Sequence, residues 1–170
     1  LILMDGGHEV NEVFFDDVKV PLENLIFEEN KGWTVAKYLL GHERMGSANV
    51  GASKRELTAL RALASTEMKN GKPIIEDPRF RDRLSRVEIE LQALELTAMR
   101  FLDKMRRTGQ PPGADVSMLK IRGTEVQQAI TELMMQAAGP LAQPFAGVDD
   151  GQVDPFASRL SPRYFNLRKA

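Results

Sequence analysis

The sequence predicts a mainly α fold: an antiparallel four-helix bundle whose last helix is truncated, preceded by two short β-strands. Three observations carry this reading. Apolar residues recur with helical period almost everywhere after Gly32. A β-branched and aromatic run is confined to the first 27 residues, divided from the rest by a change of pattern. Gly-Pro and Asp-Pro punctuation then cuts the helical part into three long segments and the start of a fourth. The domain organisation expected from this is residues 1–27 as the terminal strands of a β-domain and residues 28–170 as a helical bundle domain.

Within residues 1–27, Val10, Val13, Phe14, Phe15, Val18 and Val20 follow the turn-forming Asp5-Gly6-Gly7, and Pro21 closes the run because proline cannot donate to a ladder. Two strands alone are marginal in water, so they are read as the edge of a larger sheet in a longer protein. The first helical segment is expected from about Trp33 to Asn70, with Trp33, Ala36, Leu39, Leu40, Glu43, Gly46, Ser47, Val50, Ser53, Leu57, Leu60 and Ala64 along one seam. Gly71 stands where a C-terminal glycine belongs, and Pro73 prevents continuation. The second opens with Asp77 as N-cap and Pro78 as first helical residue. It repeats Phe80, Leu84, Val87, Leu91, Leu94, Ala98, Phe101 and Met105 at alternating steps of four and three, and stops at Gly109 before Pro111-Pro112. This spacing suits the shallow crossing angles of bundles. The third starts after an Asp115 cap and runs through Met118, Ile121, Val126, Ile130, Leu133 and Met134 to Gly139-Pro140. A loop from Pro140 to Arg159 follows, and Ser161-Pro162 announces the fourth helix, which runs to Ala170.

Composition narrows the functions open to such a bundle. Twenty-three basic and 24 acidic residues leave a net charge of −1 and a pI near 6.2, so nothing draws the chain to nucleic acid or an anionic membrane. The absence of cysteine removes disulfides, thiolate metal sites and cysteine nucleophiles, and is compatible with a cytoplasmic setting. The least charged stretch, Leu133 to Val148, is broken by Gly139, Pro140 and Pro144, too interrupted to span a bilayer. No targeting pattern opens the chain. A di-iron bundle needs Glu-x-x-His pairs on inward faces, and no Glu stands three residues before His8 or His42, so no metal is expected. Asp149, Asp150 and Asp154 lack the alternation of a calcium loop and read as a solvated loop. There is no GxSxG, Walker or GxGxxG motif. Met118, Met134 and Met135 read as core filling.

Glu43 stands out. Its helical neighbours at i±3 and i±4 are Leu39, Leu40, Gly46 and Ser47, which makes it the only acid on an otherwise apolar or small seam. A carboxylate desolvated there would have its pKa raised toward that of a general base; a surface glutamate beside Arg44 is the plainer alternative. The run from Gly46 to Ser53 is crowded with small residues, which permits close helix packing or leaves room for a flat ligand. Gln136, three residues before Gly139, combines an amide with a glycine stop. That is ordinary helix punctuation or, alternatively, a contact for a ligand phosphate.

Taken together, Glu12 to Pro21, then Glu23-Asn24-Leu25, Asn30-Lys31-Gly32-Trp33 and Glu43-Arg44 resemble, in order and rough spacing, the acyl-CoA dehydrogenase family. Ser117-Met118-Leu119-Lys120, Gln136 to Gly139 and Tyr164 to Lys169 extend the resemblance over essentially the whole chain. The resemblance implies the last strands of the family's middle β-domain and most of its C-terminal helical bundle. It implies FAD as cofactor and oxidation of an acyl-CoA thioester to the trans-2-enoyl-CoA, a carboxylate taking the α-proton while a hydride leaves the β-carbon. In most members that carboxylate lies further along than this sequence extends. In branches resembling isovaleryl-CoA and long-chain dehydrogenases it immediately precedes the helix arginine, the place Glu43 holds, and Arg44 matches the arginine near the substrate pocket.

Gln136 and Gly139 match the family's Gln-x-x-Gly, which approaches the FAD of a neighbouring subunit. The family's Arg-x-x-Phe-Gly falls on Glu67 to Gly71, with glutamate in place of arginine, and a further glutamine of that site falls on Pro78. The implied partners are an acyl-CoA substrate, an electron-transfer flavoprotein or similar acceptor, and further copies in a homodimer or homotetramer. The chain alone is expected to be inactive. A non-catalytic helical assembly module and an acyl-CoA oxidase are the alternatives that keep the same residues.

Overall fold

The longest helix begins where a carboxylate can satisfy its free backbone donors. Asp77 Oδ1 accepts from the N–H of Arg79 at 2.9 Å and of Phe80 at 3.3 Å, and Pro78 takes the first helical position. The computed structural model describes residues 1–110, 113–143 and 156–169, with side chains for all of them but 42, 44 and 45. Helix α3 (Pro78–Thr108) stops at Gly109, whose φ of 64° suits a residue without Cβ. Helix α4 (Ser117–Ala138) also stops at a glycine of positive φ, Gly139 (φ 57°, ψ −133°), which leads into a 3₁₀ turn over Gly139–Ala142. Its start differs from the expectation: a 3₁₀ turn over Ala114–Val116 leads in, and Asp115 pairs with Lys104 at 3.6 Å rather than capping.

The segment expected as one helix from Trp33 to Asn70 is three elements. Helix α1 (Gly32–Gly46) and helix α2 (Val50–Thr66) are separated by Ser47, Ala48 and Asn49, with Asn49 in the left-handed region at φ 48°. The cluster of small residues was the signal: Gly46 and Gly51 weaken the helix on both sides, and asparagine tolerates the reversal. Opposite the break lies Gly123 of α4, where a Cβ would come within 2.8 Å of the Ala48 carbonyl oxygen and 2.9 Å of that of Ser47. The chain after Thr66 forms a hairpin, β1 (Met68–Lys69) and β2 (Lys72–Pro73), turning on Asn70 and Gly71 at φ 54° and 77°. Two successive positive φ values make the tight turn that Asn-Gly favours. Gly71 therefore serves a hairpin and not a helix end.

That hairpin is the sheet of this fold among the described residues. The strand-like run in residues 1–27 joins no sheet among the described residues: Val13, Phe14, Phe15, Val18 and Val20 are exposed. The order there comprises a turn at Leu3–Gly7, a bond from the Leu1 amino group to the Val10 carbonyl at 3.2 Å, contacts of Asp5 and Glu9 with Asn166 and Lys169, and a 3₁₀ turn at Leu22–Asn24. A β-branched pattern produces a strand only where a second edge offers hydrogen bonds, and no described residue offers one.

The helical part is the bundle the periodicity predicts. Helix α4 packs on α2, α3 and the short α5 (Leu160–Asn166), and α2 also meets α3. Lys54 pairs with Glu95 and Arg61 with Glu88, so α2 and α3 run antiparallel. Arg83 meets Gln136 at one end of α3 and α4, and Lys104 meets Asp115 at the other, so these are antiparallel too. Leu60, Leu119, Ile130, Leu133, Val116 and Val126 form the fully enclosed centre, with Phe80, Leu84, Val87, Leu91 and Leu94 as the stripe α3 contributes. On α4 the buried face begins at Leu119 and Gly123, while Met118 and Ile121, expected inside, are exposed.

Candidate cofactor and substrate sites

Glu43 lies in the last turns of α1 and is exposed, as are Leu39 and Leu40 one turn before it and Trp33 further back. It lines none of the described cavities. Among the described residues, the dry groove expected around it is not formed. The break at Ser47–Asn49 is the reason: α1 is uncoupled from the seam of α2, so only the later positions, Ser53, Leu60 and Ala64, are buried. What the structure does supply is an open apolar face of α1 that carries a carboxylate. The side chain of Arg44 lies outside the described residues, as do Asp149, Asp150 and Asp154.

Gln136, by contrast, sits among charged groups drawn from three elements. Its side-chain oxygen accepts from Arg83 Nη1 at 2.5 Å, and its amide nitrogen donates to Glu132 Oε1 at 3.2 Å. Glu132 is also engaged by Arg168 at 3.4 Å. Gln136 borders a cavity of about 310 Å³ between the hairpin, the start of α3 and the end of α4. Buried Ile74 and Phe80 give it an apolar lining, and Lys69, Asp77, Arg79 and Arg83 give it charge. Asp77 is already engaged: besides its capping bonds it accepts from Lys69 Nζ at 2.9 Å, and these partners, Lys69 foremost, hold its carboxyl below the usual range. No ion pair is recorded for Arg79 or Arg83 among the described residues. Gly139 ends the helix one turn beyond Gln136 in a backbone conformation that would strain any other residue.

Glu67 is half-buried and does not line this cavity, so its negative charge does not face it. The donor set present, two guanidinium groups, an ammonium and an amide, fits an anionic oxygen-rich group such as a nucleotide phosphate. The sequence reading named Gln136 and Gly139 but not Lys69, Arg79 and Arg83, which border the same cavity as Gln136. The visible hint was Arg79 and Arg83 at i and i+4, on one face of a helix just after its N-cap.

The two candidate regions are apart. The α1–α2 break rests on α4 at Gly123, and Gln136 is thirteen residues further along α4, about 20 Å away by the rise of an α-helix. The two are therefore separate candidates.

Known proteins resemble this chain over most of its length. The family model "Acyl-CoA dehydrogenase, C-terminal domain" matches residues 30–154. The acyl-CoA dehydrogenase FadE34 of Mycobacterium tuberculosis is 34% identical over 136 residues, covering 78% of this chain and 18% of that protein. FadE29 of the same organism is 28% identical over 160 residues, covering 94% and 38%. In Mus musculus, acyl-CoA dehydrogenase family member 10 is 28% identical over 151 residues, covering 82% and 14%. A solved glutaryl-coenzyme A dehydrogenase in complex with glutaryl-CoA superposes with a TM-score of 0.68 at 22% identity, covering 91% of this chain and 38% of that one, which establishes the shared fold. The chain thus spans well under half the length of the relatives it matches.

Proposed function

Because the chain belongs to the acyl-CoA dehydrogenase family, we propose that it is the end of the middle β-domain (residues 1–27) and the C-terminal bundle (residues 28–170) of an enzyme that oxidises an acyl-CoA thioester to the trans-2-enoyl-CoA. The observation that carries the reading is the match of that family's C-terminal domain to residues 30–154 of a chain with the same bundle. Bound FAD would supply the acceptor for the hydride that leaves the β-carbon. Gln136, Gly139 and their cationic neighbours would hold part of the FAD of an adjoining subunit, which makes a homodimer or homotetramer part of the proposal. An electron-transfer flavoprotein or a similar acceptor in the cytoplasm would complete the cycle.

In this reading Glu43 removes the α-proton. An α-proton next to a thioester is weakly acidic, so the carboxylate must lose water and the thioester oxygen must be polarised. Exposed Leu39 and Leu40 lie one turn before Glu43, so a surface laid over this face of α1 would desolvate the carboxylate. Arg44 would stand beside the substrate.

The exposure of Glu43 favours a second reading, a non-catalytic assembly module of the same fold. The test is Glu43→Gln in the full-length protein. Loss of acyl-CoA oxidation with FAD still bound is the expected result, and undiminished turnover removes Glu43 from the mechanism. A full-length protein without yellow flavin absorbance supports the module. Reduction of molecular oxygen in place of an electron acceptor would identify an oxidase.

A further inference from the structure

Of residues 1–34, Leu3, Asp5 and Gly7 alone are half-buried, and they stand on one local turn. Asp5-Gly6-Gly7 builds it: Gly6 takes φ 80° and donates to the Leu3 carbonyl at 2.8 Å, and the Gly7 N–H donates to Asp5 Oδ1 at 3.2 Å. The Asp5 side chain is only 7% exposed. Its Oδ2 accepts from Asn166 Nδ2 at 2.7 Å and from Lys169 Nζ at 2.9 Å, and Glu9 accepts from the same two groups at 3.4 Å and 3.0 Å. Asn166 and Lys169 stand three apart in the turn that follows α5, closed by the Lys169 N–H on the Asn166 carbonyl at 3.1 Å, so they point the same way. The residues between them face α4 instead. Gln128 Nε2 donates to the Leu167 carbonyl at 3.0 Å, and Arg168 meets Glu132 at 3.4 Å with its guanidinium 3.8 Å over the Tyr164 ring. One turn thus grips the bundle with one pair of residues and the N-terminal segment with the other.

The grip depends on the ammonium of Lys169. Two carboxylates share it and one of them is almost dry, so an uncharged residue at 169 would leave like charges facing each other beside an amide. From Val10 to Thr34 every residue is exposed, so this contact is the fixed point ahead of α1, the helix that carries Glu43. We propose that Asn166 and Lys169 clasp the Asp5 turn so as to seat the β-domain of the full-length protein on the bundle, with Lys169 as a positioning residue for the reaction. The proposal rests on the reading of residues 1–27 as the end of that β-domain and of the protein as an enzyme oxidising acyl-CoA. It adds the contact that sets how a surface laid over α1 is aligned, and alignment of reacting groups is a large part of a catalysed rate.

The test uses the full-length protein with Lys169→Gln, Lys169→Arg and Asp5→Asn. Both positions lie outside the hydrophobic core, so the variants should fold, which circular dichroism checks. Lys169→Gln should lower kcat about fivefold or more with KM near that of the parent, because a misaligned substrate still binds. Lys169→Arg keeps the charge and reaches both carboxylates, so it should restore the parent value. Combining Asp5→Asn with Lys169→Gln should cost no more than the worse single variant, as for two halves of one contact. Amide exchange at Gly6 and Gly7 should quicken in Lys169→Gln and not in Lys169→Arg. A kcat for Lys169→Gln equal to the parent's, a change in KM alone, or a loss that Lys169→Arg shares would overturn the positioning role and leave the enzyme reading intact. If the parent does not oxidise acyl-CoA, the enzyme reading fails by itself and the exchange rates decide for the clasp. Protection lost in Lys169→Gln and kept in Lys169→Arg retains it as a domain anchor, and equal exchange in parent and variants ends it.

Discussion

Two regions of this chain carry similar numbers of large apolar residues and treat them in opposite ways. In α2, α3 and α4, Leu60, Leu119 and Ile130 have no exposed surface, whereas in residues 1–40 Phe14, Phe15 and Leu22 are more than 80% exposed and Trp33 is 69% exposed. Hydrophobicity alone does not place a side chain inside. The bundle residues face one another because three helices run antiparallel, and the early residues have no such counterpart among the described residues.

The contrast can be broken from either side. Ile130→Ala should cost about 2–5 kcal/mol, the usual toll for emptying an enclosed aliphatic site, measured by denaturant unfolding of the full-length protein. Phe14→Ala should cost no more than about 0.5 kcal/mol in the 170-residue chain. A several-fold larger cost in the full-length protein would show that a surface elsewhere covers residues 1–27, as the β-domain reading requires. Gly123→Val, which drives a side chain into the carbonyls of Ser47 and Ala48, should cost about 1–3 kcal/mol and displace α1, seen as faster amide exchange in residues 32–46.

Smaller effects test the margins of the core. Glu56 is largely buried, pairs with Arg163 through one oxygen and leaves the other without a partner. Arg163→Ala should cost about 1 kcal/mol, the low end for stranding a charge, because Arg163 itself is half exposed. Ser53 is fully buried and its hydroxyl has no partner among the described residues, so Ser53→Ala should raise stability by about 0.5–1 kcal/mol. The attachment of the N-terminal turn to the region after α5 should depend on acid. Asp5 is bound by Lys169 at 2.9 Å and Asn166 at 2.7 Å, and Lys169 foremost lowers its pKa from 3.8 to about 2. This contact is complete above pH 3.8 and is lost as the pH falls through about 2, which amide exchange at Gly6 and Gly7 would report.

Much of the bundle was legible because local and global signals agree there. Asp77-Pro78 caps α3, Gly109 and Gly139 end helices, and the four-three spacing of α3 marks its buried stripe as far as Leu94. The errors arose where a pattern had two physical outcomes. Small residues at 46–51 could continue a helix or break it, and the close approach of Gly123, far away in sequence, accompanies the break. Asn70-Gly71 could end a helix or turn a hairpin, and Ile74 donating to the Glu67 carbonyl at 2.9 Å accompanies the hairpin. Gln136 was a weak local signal that a resemblance strengthened. Lys69, Arg79 and Arg83 were not legible, because no local pattern shows that residues on a hairpin and at opposite ends of two antiparallel helices share one cavity. The seam through Glu43 failed because a period calculated across Asn49 assumes a continuous helix.

Gly123 has a consequence that reaches beyond packing. A residue with no side chain works as the bearing of a joint, and the joint belongs to the arm that carries Glu43 and not to the cluster around Gln136. Under the roles proposed for Glu43 and Gln136, changes at that bearing would tilt the first and spare the second, leaving the two open to independent mutation and to independent selection.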